Sequence, residues 1–342
     1  MARPTAILVH NPTAGMREPA KEDLVALIEA QGFRVKYRSS KRPDLAAKLE
    51  KKTGDLVIAA GGDGTVAKVA KILLAQPEVT APLAILPIGT ANNIALSFGV
   101  SGTPEEIIPR WNEARPRKLS QGICRAHWGE QHFIEGVGLG SLARATTPKP
   151  AEKSKAVRIR DGRIAFRDAV KEAKPERLYV TVDGTRIEDE VILIEILNIR
   201  QVGPRLRLAP KANAGDRLLD VAYVATAHRQ ALIDWLDALI DGEIDDDAAG
   251  PPPCANVPGR KITIAWNGME LRLDDKFPLM PGQATQAKDR GMRKAGDGAE
   301  DKDGENPDRV DLLNIEVGER QLKILAPRVQ TKAKAKPGER EA

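Results

Sequence analysis

Short apolar runs alternate with helical patterns over the first third of the chain. The apolar runs have the length of buried strands and cover residues 5–9, 34–38, 55–60 and 83–86. Apolar residues recur at helical spacing in 20–31, in 44–51 and from Val66 onwards. Because strands and helices alternate, we predict a doubly wound, mainly parallel α/β domain over residues 1–118.

Beyond residue 118 the pattern changes to short apolar runs that are separated by turn residues. The predicted strands cover residues 123–128, 132–137, 178–182, 191–197, 218–224, 261–266, 270–273, 312–317 and 321–325. Two helical patterns, 164–173 and 229–240, interrupt these strands. We therefore expect a second, mainly antiparallel β domain over residues 119–282 that resumes at 310–327.

Two segments have a composition that is typical of disorder. Residues 283–309 contain almost no large apolar side chain, and residues 328–342 are rich in Lys and Ala. Such segments cannot bury enough apolar surface to offset the entropy that ordering costs. We predict a disordered insertion at 283–309 and a disordered basic tail at 328–342.

Composition excludes several classes of protein. The formal charge is +5, but only 4% of the residues are aromatic and none alternate with basic residues, so we expect no nucleic-acid partner. The two cysteines are too few for a disulfide scaffold. No run approaches the roughly 18 uncharged apolar residues of a membrane span, and no signal segment is visible. We expect a cytoplasmic protein.

The stretch that carries the chemistry is Gly61-Gly62-Asp63-Gly64-Thr65, between a predicted strand and a predicted helix. Its glycines let a ligand approach the backbone, and the helix N-terminus offers unpaired N–H groups to an anion such as phosphate. A carboxylate beside bound phosphate, here Asp63, has a role in handling Mg²⁺ or a substrate hydroxyl. A glycine-rich turn without a ligand is the alternative.

This turn resembles the signature of the superfamily that holds diacylglycerol kinases, sphingosine kinases and NAD kinases. Residues 11–15, Asn-Pro-Thr-Ala-Gly, and 87–95, Pro-Ile-Gly-Thr-Ala-Asn-Asn-Ile-Ala, resemble two further elements of the bacterial lipid kinases. The resemblance extends from about residue 5 to residue 327 and implies an ATP-dependent kinase. The implied nucleotide-binding residues are Asn11, Pro12, Thr13, Ala14, Gly15, Ser39, Gly61, Gly62, Asp63, Gly64, Thr65, Val66, Ala67, Gly89, Thr90 and Asn92. Asn11 and Asn92 could equally cap their own loops.

The resemblance also implies a Mg²⁺ site in the segment 208–220. The matching ligands are the carboxylate of Asp216 and the carbonyl of Leu218, and oxygen ligands suit this ion. Arg217 stands where the family has a glycine, so a plain turn aspartate is the alternative.

The family's Asp-Gly-Glu element, to which activation of the acceptor hydroxyl is assigned, falls on residues 274–276. The resemblance therefore implies that Asp274 is the general base, with Asp275 as a helper and Asp63 as a further catalytic residue. Lys276 replaces the family's glutamate, Asn93 replaces an aspartate and Gly140 replaces another. These departures leave a weak or inactive kinase as an alternative.

The expected function is phosphorylation of a hydroxyl of diacylglycerol or a related lipid alcohol by ATP and Mg²⁺ in the cleft between the domains. The alternatives are an NAD-kinase-like enzyme and a nucleotide-binding lipid sensor. Residues 144–174 carry ten Lys or Arg against four acidic residues. This run is either a solvated face or a surface for transient contact with an anionic inner membrane. The sequence leaves a homodimer open.

Overall fold

The N-terminal part alternates strands and helices, in a computed structural model that describes residues 3–14, 19–50, 54–78, 81–145, 154–242, 250–266, 269–274 and 311–327. Its elements are β1 (Thr5–His10), α1 (Lys21–Ala30), β2 (Arg34–Ser39), α2 (Leu45–Glu50), β3 (Leu56–Gly61), α3 (Asp63–Ala75), β4 (Leu83–Pro87), α4 (Asn93–Ser97) and α5 (Pro104–Ile107), followed by a 3-10 turn (Ile108–Glu113). Strands β4, β3, β1 and β2 lie side by side and run parallel. The predicted α/β class is confirmed.

The helices of this part form where the periodicity places them. On α1, Leu24 and Ile28 are buried against the sheet. Gly32, two residues after the end of α1, has a positive φ of 85° and donates its amide to the carbonyl of Glu29. On α3 the apolar stripe that begins at Val66 is buried, and it packs α3 against β3. Both faces of the parallel sheet are therefore covered, as such sheets require.

The second part consists mainly of antiparallel strands, as the sequence predicts. Its elements are β5 (Arg115–Ala126), β6 (Gly129–Phe133), β7 (Gly136–Gly140), α6 (Ser141–Arg144), α7 (Lys155–Glu172), β8 (Glu176–Val182), β9 (Thr185–Leu197), β10 (Leu219–Ala225), a 3-10 turn (Thr226–His228), α8 (Arg229–Asp241), β11 (Ala255–Gly259), β12 (Lys261–Trp266), β13 (Leu271–Leu273) and β14 (Asp311–Ala326).

Strand β14 corrects one prediction. The sequence predicts two strands here, separated at Gly318, but the structure has one strand that continues through an irregularity between Val317 and Gln321. A bulge lets a strand accommodate extra residues without ending. The consequence is a continuous sheet, because β14 pairs antiparallel with β5 and β12 and also parallel with β4.

Strand β5 begins at Arg115, before the predicted domain boundary at residue 118, and pairs with β14 along its length. The division into domains at 118 stays a prediction. The predicted insertion at 283–309 and the tail at 328–342 lie outside the described residues.

The helices α7 and α8 pack against each other on the second part of the sheet. The predicted stripe of α8, which includes Leu232 and Trp235, is buried as core. Helix α7 begins nine residues before its predicted start because Ser154 caps it and accepts a hydrogen bond from the Val157 amide. Arg163 of α7 is buried and donates to the carbonyl of Leu239 at 2.8 Å. In the part of the chain that the structure describes, no helix combines the length and apolarity that crossing a membrane requires.

Candidate active site

The predicted nucleotide residues gather at one edge of the sheet, because parallel strands end on the same side. The loop after β1 is tied to β3, since the Asn11 amide donates to the carbonyl of Ala60 at 2.9 Å. The loop after β2 is tied to β1, since the Ser40 amide donates to the carbonyl of His10 at 2.8 Å. The ends of three strands, β1, β2 and β3, therefore form one continuous rim. Gly15, the last residue of the first motif, lies outside the described residues.

The phosphate turn (residues 61–65) connects β3 to α3 and has no room for a side chain at Gly61. A Cβ atom on Gly61 would lie 2.5 Å from the side chain of Thr65. Gly62 is the N-cap of α3 and offers no side chain to the helix amides. The start of α3 therefore keeps the electropositive character that attracts phosphate groups. The side chains of Val66 and Ala67 point into the core, so only their backbone lies near this rim.

The asparagine turn (residues 87–93) packs directly against the phosphate turn. A Cβ atom on Gly89 would lie 2.3 Å from the Cα atom of Gly62, so the two turns touch backbone to backbone. Asn92 adopts a left-handed conformation with φ of 59°. Its Oδ1 accepts from the Gly89 amide at 3.0 Å, and its Nδ2 donates to the carbonyl of Pro87 at 3.0 Å. Asn92 therefore holds the shape of its own turn.

Asn11 also serves its own loop. Its Oδ1 accepts hydrogen bonds from the amide and the hydroxyl of Thr13, at 3.2 and 3.0 Å. For both asparagines the local capping role that the sequence left open is the one that the hydrogen bonds show. Their assignment to nucleotide binding stays a prediction.

Asp63 connects the two turns through its carboxylate. Its Oδ1 accepts from the Ile94 amide at 2.9 Å, which joins the start of α3 to the start of α4. The residue as a whole is half-buried, but its carboxylate is enclosed, and this burial raises the pKa of Asp63 above its ordinary value. A carboxyl with a raised pKa is a better proton acceptor than an exposed one.

Asp274, the predicted general base, lies at the end of β13 with its carboxylate buried. Its Oδ1 accepts from the amides of Ile134 and Glu135, at 2.9 and 2.7 Å. Its Oδ2 lies 2.6 Å from Nζ of Lys71, on α3. The side chain of Asp274 is 1% exposed. These oxygens are thus occupied by protein donors, which is the geometry of an anchor. Asp275 and Lys276 lie outside the described residues.

A buried ion pair between Arg272 and Glu195 holds the backbone at Asp274 in place. Arg272 donates to the backbone carbonyl of Asp274 and, at 2.6 Å, to Oε2 of Glu195. A Cβ atom on Gly138 would lie 2.1 Å from the Glu195 carboxylate, so only a glycine leaves room for this pair. The pair fixes the β13 end against β7 and β9.

Glu135 is the residue of this region that sequence reasoning missed. It lies between β6 and β7, is 4% exposed, and donates its amide to Asp274. Burial raises the pKa of Glu135 well above its usual range, and the neighbouring charges of Asp63 and Asp274 add to this effect. The only sequence signal was an acidic residue inside the apolar segment 133–140.

Three cations from the second part of the chain converge on the asparagine turn. Arg158 donates to Oγ1 of Thr90 at 3.2 Å, and Arg205 donates to the carbonyl of Ala91 at 2.9 Å. Burial, with the charges of Arg205 and Arg158, lowers the pKa of Lys155. The surroundings of Thr90 are therefore electropositive, which suits phosphate groups.

The predicted metal residue Asp216 is not brought to the phosphate turn. Its Oδ1 accepts from the Leu218 amide at 2.9 Å, and the neighbouring Arg217 donates to the carbonyl of Glu319. Arg320, the residue after Glu319, donates to carbonyls at the C-terminal end of α3. Asp63 begins that helix, whose length is about 20 Å. A cation at Asp216 would thus lie far from the nucleotide phosphates.

The donors at Asp216 nevertheless fit a hard cation. Asp220 is buried nearby, and burial and the charge of Asp216 raise its pKa to about 6. Two carboxylates that repel each other gain from a divalent ion between them. Among the described residues, no cluster of three or more His, Cys, Asp or Glu side chains forms a metal site, so further ligands would be carbonyls and waters.

Two family models match successive parts of the chain. Residues 5–123 match the diacylglycerol kinase catalytic domain, and residues 141–274 match the YegS C-terminal NAD kinase beta sandwich-like domain. Among solved structures, a diacylglycerol kinase from Bacillus anthracis has 19% identity and a TM-score of 0.61, covering 96% of this chain and 98% of that one. Yeast NADH kinase complexed with NADH has 10% identity and a TM-score of 0.50, covering 95% and 84%. These structures share the fold.

Curated relatives agree with the family models. The diacylglycerol kinase of Bacillus subtilis is 25% identical over 290 residues, which cover 81% of this chain and 92% of the relative. The "Probable lipid kinase YegS-like" of Klebsiella pneumoniae is 30% identical over 224 residues, which cover 63% of this chain and 72% of the relative. The chain therefore belongs to the family of bacterial diacylglycerol kinases and YegS-like lipid kinases, phosphotransferases that act on an alcohol group.

Proposed function

We propose that this protein is an ATP-dependent lipid kinase that phosphorylates a hydroxyl of diacylglycerol or a related lipid alcohol. The observation that carries the proposal is the contact of the phosphate turn with the asparagine turn at Gly62 and Gly89, with the Asp63 carboxylate spanning both. A side chain on Gly89 would clash with Gly62, and one on Gly62 would crowd Gly89, so both positions present bare backbone to phosphate groups. The cations at Thr90 extend this surface toward the second part of the chain.

Each part of a phosphoryl-transfer site has a candidate here. The amides at the start of α3 hold the nucleotide phosphates, together with the loops of Asn11 to Ala14 and Ser39. Arg158 and Arg205 stabilise the negative charge that spreads over the transferred phosphoryl group. Asp63 lies where the acceptor hydroxyl meets that group, and Asp274 holds the second part of the chain against α3. The Mg²⁺ that accompanies ATP neutralises phosphate charge when bound.

A second cation would stabilise the protein and take no part in the transfer. Asp216 and Asp220 would hold it, with the carbonyl of Leu218 as the further ligand that the sequence predicts. Its chemistry is the neutralisation of two neighbouring carboxylates, which favours the folded loop before β10.

The first turns of α7 support a transient contact with an anionic membrane. Val157 is 42% exposed, and the exposed Arg160 lies one turn along the same face of α7. An exposed apolar residue beside a cation is suited to the headgroup region of a bilayer, from which a lipid substrate must be taken. An enzyme that uses this contact would act at the inner face of the membrane.

The contacts of Asp274 favour a different candidate function, a nucleotide-binding lipid sensor. The oxygens of Asp274 already accept from Lys71 and two amides, so this residue cannot serve as the base without breaking those contacts. In a sensor, the cleft would bind ATP and lipid without transfer.

The deciding experiment measures transfer of labelled phosphate from ATP to diacylglycerol in mixed micelles, to NAD, and to buffer alone. Lipid phosphorylation is the expected result, and Asp63→Asn should lower kcat about a hundredfold or more while leaving the melting temperature within a few degrees. Transfer to NAD alone would make the enzyme NAD-kinase-like. ATP binding without transfer to any acceptor would identify a sensor.

A further inference from the structure

We propose that Asp63 and Glu135 form one carboxyl pair that receives the proton of the acceptor hydroxyl, with Asp274 as a positioning residue that fixes the backbone of Glu135. The inference rests on the proposed kinase function and names its proton acceptor. The role of proton acceptor, which the family resemblance implied for Asp274, thus passes to the pair.

The hydrogen bonds of Asp274 argue for positioning. A carboxylate that accepts from Lys71 and from two backbone amides has its basic lone pairs engaged. One of those amides belongs to Glu135 itself, at 2.7 Å. The backbone of Glu135 is held on its other side as well, because its carbonyl accepts from the Asn198 amide at 2.9 Å. Asp274 therefore aims Glu135 without competing for the substrate.

Asn93 brings the two members of the pair together. The amide of the next residue, Ile94, binds Asp63, while the side chain of Asn93 interacts with Glu135. Asp63 and Glu135 thus meet the same short segment at the start of α4. Asp63 is half-buried, whereas Glu135 is buried.

Asn93 can serve both protonation states of Glu135. Hydrogen bonding from its side chain opposes the rise in the pKa of Glu135, and its Nδ2 also donates to the carbonyl of Gly203 at 2.9 Å. Its buried Oδ1, however, has no hydrogen-bond partner within the described part of the chain. An unsatisfied buried acceptor is costly. A protonated Glu135 carboxyl would supply the donor that Asn93 Oδ1 lacks. Protonation of Glu135 would therefore remove the cost of this unsatisfied acceptor.

The charged groups around Glu135 come from several elements. Asp63 faces it from α3, Asp274 from the end of β13, and Arg272 from within β13. Lys71 of α3 acts through its pair with Asp274. Two of these groups are carboxylates, and like charges in a buried site bind a shared proton more tightly than either carboxylate alone.

The proposed step transfers one proton and one phosphoryl group. The acceptor O–H bond breaks and its proton passes to the Asp63–Glu135 pair. The freed oxygen forms a bond to the γ-phosphorus of ATP, the bond from that phosphorus to the bridging oxygen breaks, and ADP leaves with the electron pair. The pair later releases its proton to water.

The first test is the pH profile of kcat/KM for diacylglycerol phosphorylation in the parent, Glu135→Gln and Glu135→Asp. Glu135→Gln should lower kcat/KM about a hundredfold at neutral pH. Its acidic limb should move to lower pH, because Asp63 without a charged neighbour loses its proton more easily. Glu135→Asp should keep the limb near its parental position. Glu130→Gln, a surface control whose carboxylate pairs with Arg125 and His132, should leave the profile unchanged.

Two results would overturn the proposal. One is a Glu135→Gln variant whose limb coincides with that of the parent, since a purely structural residue lowers the rate without moving the limb. The other is a fully active Glu135→Gln beside an inactive Asp274→Asn, which would return the base to Asp274.

A second measurement, the pH dependence of stability, tests the pair without an activity assay. A carboxyl whose pKa is raised by folding contributes stability below about pH 4, and this contribution is lost as the pH rises through the folded-state pKa. The free energy of unfolding of the parent relative to Glu135→Gln should therefore fall as the pH rises above about 4. The same fall should be smaller in an Asp63→Asn background. A difference that is independent of pH would disprove the pair. If the parent phosphorylates no acceptor but the fall is present, the pair stands and the kinase function fails, along with the role of the pair in it.

Discussion

Nζ of Lys71 lies 2.6 Å from Oδ2 of Asp274, and this ion pair joins the helix that starts at the phosphate turn to the end of β13. Asp274 in turn accepts from the amide of Glu135. Two successive contacts therefore link α3 to the backbone of Glu135, a member of the proposed proton-accepting pair. Since the carboxylate is buried, the loss of Lys71 would leave it without its cation.

Lys71→Met should lower the free energy of unfolding by about 1–3 kcal/mol, because it leaves a buried carboxylate with an unsatisfied charge. A double-mutant cycle with Asp274→Asn should give a coupling of at least about 0.5 kcal/mol between the two residues. Urea unfolding of the four proteins measures both values. Lys48→Met, an exposed lysine on α2, is the control and should change stability by less than about 0.5 kcal/mol. A coupling near zero would show that the pair does not hold the two parts together.

Gly89→Ala should weaken both ATP binding and phosphoryl transfer. The new methyl group would lie 2.3 Å from the Cα atom of Gly62, so one of the two turns has to move. Because the closest atom belongs to the backbone of Gly62, no flexible side chain can yield there. The measurements are ATP affinity by calorimetry and the rate of transfer, and both should fall at least about tenfold since a displacement near 1 Å has large effects on transfer.

The control for this change is Gly184→Ala, in the turn between β8 and β9. Gly184 has a φ of 87°, and a methyl group added there would meet no neighbouring atom within 4 Å. Its substitution should cost about 1 kcal/mol of stability through backbone strain and leave transfer unchanged. Equal loss of activity in both variants would mean that stability, and not the contact of the turns, determines the rate.

The parallel domain and the location of the phosphate turn could be predicted from the sequence because both depend on local patterns. Strand period, helix period and the glycines at 61, 62 and 64 are properties of short segments. The single strand β14 was missed because Gly318 has the local signature of a turn, whereas pairing with β5 on both sides of it carries the strand across. Long-range pairing overrode the local signal.

The roles of Asp274 and Glu135 could not be predicted for a related reason. A sequence states the residue type, but not whether its oxygens are already bound by other groups. Lys71, which forms an ion pair with Asp274, lies about two hundred residues earlier in the chain. Asp63 is likewise distant from Glu135 in the sequence. These contacts form only when the two parts of the sheet come together.

Arg158→Gln should raise the KM for ATP about tenfold with a smaller change in kcat. Its guanidinium donates to Oγ1 of Thr90, beside the phosphate-binding rim, so its removal weakens the attraction for phosphate groups. Arg160→Gln, on the same helix but directed at the carbonyl of Ile240, is the matched control and should leave the KM for ATP unchanged. A KM that rises for the lipid and not for ATP would assign Arg158 to the acceptor headgroup.

Asp216 and Asp220, the residues of the proposed cation site, should make stability depend on both pH and Mg²⁺. Burial and the charge of Asp216 raise the pKa of Asp220 to about 6, so the stability that this group contributes at low pH is lost as the pH rises through 6. Without added Mg²⁺, Asp220→Asn should therefore become more stable relative to the parent between about pH 4 and about pH 8. Mg²⁺ offsets the repulsion between the two carboxylates, so it should raise the melting temperature of the parent at about pH 8 and have little effect at about pH 5, where Asp220 is protonated. The same titration of Asp216→Asn should show no Mg²⁺-dependent rise. A rise of equal size in the parent and in Asp216→Asn would mean that the cation binds elsewhere in the protein.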